Sequence, residues 1–98
     1  MGKNVEFKNR DRLIQIGITI STLRHIRGLS QEKLAEKANI SRSLISNIEA
    51  PNMAYNFSVQ ALFNISDALN VLPQELISMS VFPEDIIKNK QLKESDKK

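Results

Sequence analysis

Arg42, Ser43, Ser46 and Asn47 fall on the polar side of a short apolar-patterned stretch, Ser41 to Glu49, whose inward residues are Leu44, Ile45 and Ile48. A helix that needs only to be soluble is usually dressed in Glu and Lys. This face is polar yet carries a single charge. Arg can present two parallel donors to guanine, Asn can pair bidentately with adenine, and Ser can donate or accept at a base edge or a phosphate. Those are the hydrogen bonds needed to read a DNA major groove. Any one of the four is adequately explained as a solvated position or a cap; their sharing one face is what points to base reading.

The chain around this face supplies what would hold it. Ser30 is placed to N-cap a helix, with Lys33 where a reciprocal capping carboxylate would stand, so the cap is one-sided. Leu34, Ala35 and Ala38 share one side of that helix. Asn39 follows, and asparagine is the non-glycine residue best able to take a left-handed conformation, so the helix is expected to stop at Ala38 or Asn39. Ser41 then caps the second helix. Two short helices joined by a tight turn result.

The stretch RGLSQEKLAEKANISRSLISNIE resembles the helix-turn-helix of the phage Cro and repressor family, also called the XRE family. Upstream, Ile16-Gly17 and Ile20-Ser21-Thr22-Leu23-Arg24 resemble its first helix, and Leu62, Ile65, Ala68, Leu69 and Leu76 match its fourth and fifth. The resemblance implies an all-α fold: a five-helix, lambda-repressor-like DNA-binding domain over residues 11–79, with short extensions at 1–10 and 80–98. It implies base reading by Arg42, Ser43 and Asn47, a phosphate anchor at Gln31, further phosphate contacts by Ser41 and Ser46, and a structural ion pair between Arg24 and Glu49. Three departures stand out. Asn39 replaces the usual turn glycine, Ala50-Pro51-Asn52 must reverse the chain where relatives have a glycine, and Ser66 stands where many carry alanine.

Along the chain, residues 1–10 form a polar leader or extended arm, and a helix is expected from about Asp11 with Leu13, Ile16, Ile20 and Leu23 toward the core. Ile14, Ile18 and His25 lie off that face; Val5 and Phe7 or a partner chain are the candidates to cover the isoleucines. Gly28 ends the helix and Leu29 tucks under the motif. The loop Ala50 to Phe57 carries Tyr55 and Asn56 where a phosphate backbone would pass, with loop packing the competing explanation. Ser58 caps a helix with a core stripe of Leu62, Ile65 and Leu69, flanked by Val59, Phe63 and Ala68. After Asn70-Val71, Pro73 opens a fifth helix with Leu76 and Ile77. Met79, Val81, Phe82, Ile86 and Ile87 supply apolar surface for either a dimer contact or the same subunit, and the tail from Lys88 is charged.

Composition bounds the function. Ninety-eight residues suit one modest domain. There is no cysteine, hence no disulfide or thiolate chemistry, and no secretory signal, which points to the cytoplasm. No apolar run approaches the roughly 20 residues that span a bilayer, so no membrane role is expected. The net charge of +3 is uneven: residues 1–30 hold Lys3, Lys8, Arg10, Arg12, Arg24 and Arg27 against Glu6 and Asp11, whereas residues 58–98 hold five lysines against six acids. A basic end of this kind suits phosphate neutralisation. The lone histidine has no acid partner in sequence and no nucleophile has a base, so neither an enzyme, a metal nor a cofactor is expected. The expected function is a sequence-specific regulator of double-stranded DNA, a repressor binding as a homodimer to an inverted repeat. The alternative is an antitoxin or adaptor whose domain mainly grips a partner protein.

Overall fold

The computed structural model describes residues 7–79, with side chains from residue 9 onward, and every regular element among them is a helix. These are α1 (Phe7–Ile26), α2 (Gln31–Ala38), α3 (Arg42–Glu49), α4 (Val59–Leu69) and α5 (Pro73–Ser78). Five helices were expected in this order. None of the described helices is long and apolar enough to cross a membrane.

Helices of eight residues such as α2 and α3 are too short to persist alone. Their ends are therefore closed explicitly. Ser30, Ser41 and Ser58 each accept a hydrogen bond from the backbone N–H three residues on, at 3.0, 3.1 and 3.0 Å. Three C-termini close in one way, through a left-handed residue: Gly28 after α1, Asn39 after α2 and Asn70 after α4, with φ of 73°, 57° and 62°. The next N–H in each case reaches back to the last turn, Leu29 to Arg24, Ile40 to Ala35 and Val71 to Ser66, all at 3.0 Å. Pro73 occupies the first turn of α5, whose Glu75 accepts from the Leu72 N–H at 2.9 Å.

The core forms where α2, α3, α4, α5 and the second half of α1 meet. Ile20, Leu34, Ile45, Ile65, Leu69 and Leu76 have no exposed surface, each contributing about 1.5–3 kcal/mol by its removal from water. Leu23, Ala35, Ala38 and Ile48 complete the cluster. Ser66 is also fully buried, and its hydroxyl donates to the Phe63 carbonyl at 2.9 Å, so the polar group costs the core little. On α1 the buried surface shifts toward the C-terminal half: Leu13 and Ile16 are half-buried, and Gly17 and Thr19 join Ile20 and Leu23 inside. On α4, Ala61 takes a buried place and Leu62 is half-buried.

One local expectation changes and another takes a definite form. α1 begins at Phe7 rather than near Asp11. The residues in between lack an apolar stripe, but no glycine or proline breaks them, and Arg10 finds a tertiary partner, as shown below. The chain reversal after α3 is a four-residue turn in which the Met53 N–H donates to the Ala50 carbonyl at 3.2 Å, with Pro51 second and Asn52 third at φ 58°. That is a type II turn, in which asparagine supplies the positive φ that a glycine would otherwise provide. The expectations for an arm at the start of the chain, for Val5, and for Val81, Phe82, Ile86, Ile87 and the charged tail lie outside the described residues, as does the side chain of Phe7.

Candidate nucleic-acid interface

α3 presents Arg42, Ser43 and Ser46 to solvent, with Asn47 half-buried on the flank and Ile45 and Ile48 sealed beneath. The separation follows from periodicity: the apolar residues at 44, 45 and 48 turn one side inward, and the polar ones are left on the other. Ser41 sits at the start of this face. Its oxygen accepts from the Leu44 N–H, which leaves the hydroxyl hydrogen available for an outside acceptor such as a phosphate.

The far end of α3 is clamped to α1. Arg24 donates from Nε to Glu49 Oε2 at 2.9 Å and from Nη2 to Oε1 at 3.0 Å, while Nη1 donates to the Leu29 carbonyl at 2.7 Å. The pair expected from the sequence is therefore formed, and it is a two-pronged one with a third bond to the loop entering the motif. A planar guanidinium can make this arrangement and a lysine cannot.

Gln31, the first residue of α2, joins the same cluster. Its Nε2 donates to Glu49 Oε1 at 3.0 Å. One amide hydrogen is thus committed within the protein, and the second is left as a donor to an outside acceptor. Tyr55 and Asn56 separate in the structure: Tyr55 packs against the core and Asn56 is exposed beside it.

Three contacts here were not legible in the sequence. Gly17 allows α1 to cross α3 in backbone contact, since a Cβ at that position would collide with the Ile48 carbonyl. Arg27 donates from Nε to the Leu69 carbonyl at 2.7 Å, closing the end of α4 against α1. Arg10 donates from Nη2 to the Asn52 carbonyl at 3.2 Å, tying the first turn of α1 to the turn that follows α3. The two arginine contacts each join residues 42 positions apart, so no local pattern announces them. The close approach at Gly17 had only a faint signal, a glycine inside an otherwise helical pattern.

Off this face, Ile14 and Ile18 line a groove with Ser21, Thr22 and residues 49–52, and Ile18 is half exposed. His25 points Nδ1 at the Ser21 carbonyl, 2.8 Å away, one turn back on its own helix. Leu72, Ile77 and Met79 form an exposed apolar set around α5.

Comparison with known proteins agrees with this fold. A helix-turn-helix family model matches residues 20–76, more than half of the chain. The immunity repressor protein of Bacillus phage phi105 is 37% identical over 82 residues, 84% of this chain and 53% of the relative, so the chain spans about half the length of that protein. The restriction-modification controller protein C.AhdI from Aeromonas hydrophila is 33% identical, covers 65% of this chain and 94% of its own, and superposes with a TM-score of 0.60. A chain of the SinR protein/SinI protein complex is 31% identical, covers 78% of each chain, and has the same TM-score, 0.60.

Proposed function

The chain belongs to the XRE-type helix-turn-helix family of DNA-binding regulators, and from that premise we propose that it is a sequence-specific repressor, acting in the cytoplasm as a homodimer on an inverted-repeat operator. The observation that carries this reading is the face of α3: Arg42, Ser43 and Ser46 exposed and Asn47 on the flank, on a helix fixed at its far end by Arg24. Arg42, Ser43 and Asn47 read base edges. Ser41, Ser46, the remaining amide hydrogen of Gln31, and Asn56 with the Tyr55 hydroxyl hold the flanking phosphates. Contacts of the second kind set register and orientation and carry no sequence information.

Repression needs no catalytic group. A dimer seated in two successive major grooves, with half-sites about 34 Å apart, occupies a promoter and excludes polymerase. The exposed Leu72, Ile77 and Met79 are the apolar surface a second copy would cover. The name of the phage relative, an immunity repressor, favours this sign of regulation. The test is substitution of the base readers: Arg42→Ala and Asn47→Ala each weaken operator binding by about 1–3 kcal/mol and leave binding to unrelated duplex unchanged. Equal loss on both duplexes would remove base reading from these residues.

A second reading is that the domain's main work is to grip another protein. It is favoured by the same α5 surface and by the likeness to a chain from the SinR/SinI complex. Under it, the purified protein stays monomeric and DNA binding shows no sequence preference.

A further inference from the structure

From Ser43 to Ile87 the sequence contains no lysine or arginine. The recognition helix beyond Arg42, the turn after it, α4 and α5 therefore bring no positive charge of their own to DNA. Seated in a major groove about 12 Å wide, an eight-residue helix of about 12 Å has both ends close to phosphate backbone. At the Glu49 end, Arg24 is buried and neutralised by the carboxylate it grips, and Gln31 is uncharged. That end lacks a cation from its own segment.

The structure delivers one from elsewhere. α1 starts early enough to place Arg10 beside the turn, where its Nη2 donates to the Asn52 carbonyl at 3.2 Å. The side chain keeps 46% of its surface exposed, and among the described residues its acidic partner is Asp11, itself 71% exposed, in a loose ion pair with Nη1 at 3.8 Å, beyond hydrogen-bond length. One of five guanidinium hydrogens is used on the turn, and the exposed, solvent-screened pair with Asp11 leaves the other donors available to a phosphate. We propose that Arg10 is a phosphate-contacting residue: anchored on Asn52, it supplies to the turn after the recognition helix the positive charge that this segment lacks, and grips the phosphodiester backbone flanking each half-site. Asn52 orients the fork, so less side-chain freedom is lost on binding. This inference rests on the DNA-binding reading above.

The experiment compares Arg10→Gln, Arg10→Lys and Arg12→Gln with the unaltered full chain, measuring affinity for the selected operator and for an unrelated duplex over a range of salt, alongside thermal unfolding. Arg12 lies on the same helix and its side chain bonds within that helix, to Asn9 Oδ1 at 3.4 Å, so its variant controls for a unit change in net charge. The expected result is that Arg10→Gln lowers the slope of log affinity against log salt by about 0.9 per subunit, weakening both duplexes by the same factor. Arg10→Lys restores the slope, and Arg12→Gln leaves it nearer the unaltered value than Arg10→Gln does. An unchanged slope in Arg10→Gln overturns the proposal, as does a change confined to operator preference, which would make Arg10 a support for the turn alone. If the unaltered protein binds no duplex at all, the DNA-binding reading itself fails, a result that Arg10 variants cannot produce.

Discussion

Glu49 receives both prongs of the Arg24 guanidinium, Nε on one oxygen at 2.9 Å and Nη2 on the other at 3.0 Å, where the two side chains keep only 4% and 9% of their surface. Gln31 adds a third donor to the same carboxylate. One acidic group at the end of α3 thus binds the last turns of α1, the first residue of α2 and its own helix into one unit. Cutting a buried pair on one side leaves a charge without a partner, which is far more damaging than the net worth of the pair. Glu49→Ala is expected to destabilise the domain by about 3–5 kcal/mol in denaturant unfolding. A loss below about 1 kcal/mol would mean that the clamp does not hold the recognition helix.

Gly17 has no room for a side chain. A Cβ there meets the Ile48 carbonyl, and the obstacle is backbone that cannot rotate away. Gly17→Ala should cost about 1–3 kcal/mol as overpacking, despite alanine's better helix propensity. Because the displaced atoms belong to the last turn of α3, operator affinity should fall further than stability explains. Calorimetry and DNA titration of the same preparation separate the two effects.

Asn39 stands at φ 57°, ψ 43°, in the left-handed region. Asn39→Ala should cost about 1–2 kcal/mol, whereas Asn39→Gly should stay within about 0.5 kcal/mol of the unaltered chain. Equal losses in the two variants would show that the asparagine side chain, not the backbone conformation, matters at this turn.

What could be foreseen and what could not divide along a physical line. The caps at Ser30, Ser41 and Ser58, the left-handed stop at Asn39 and the inward faces of α2 and α3 depend on neighbours a few residues away, so the sequence carries them directly. The Arg24–Glu49 pair spans 25 positions and was legible only through family resemblance, supported by the need of a buried arginine for a carboxylate. Gln31 on Glu49, Arg10 on Asn52 and Arg27 on Leu69 are long-range contacts of residues that look like ordinary surface polar groups. The early start of α1 belongs with them, since residues 7–10 have no apolar stripe, and the two half-buried positions at Leu13 and Ile16 show how a wheel assigns a face without telling how far the neighbouring helices extend along it.

The proposed dimer has a direct check at α5. Leu72, Ile77 and Met79 each leave about half of their surface exposed. Ile77→Lys should shift a sedimentation profile from dimer to monomer and weaken operator binding, with little change in the unfolding midpoint of the domain, because the side chain is not part of the core. A dimer that persists unchanged would place the contact elsewhere.

The central claim, a dimer that reads sequence, is tested most directly by selecting bound molecules from a randomised duplex DNA library with the purified full chain at near-physiological salt. The expected result is an enriched inverted repeat whose half-sites lie about one helical turn, roughly 34 Å, apart. Recovery of no common sequence, whether the protein binds every duplex or none, would contradict it.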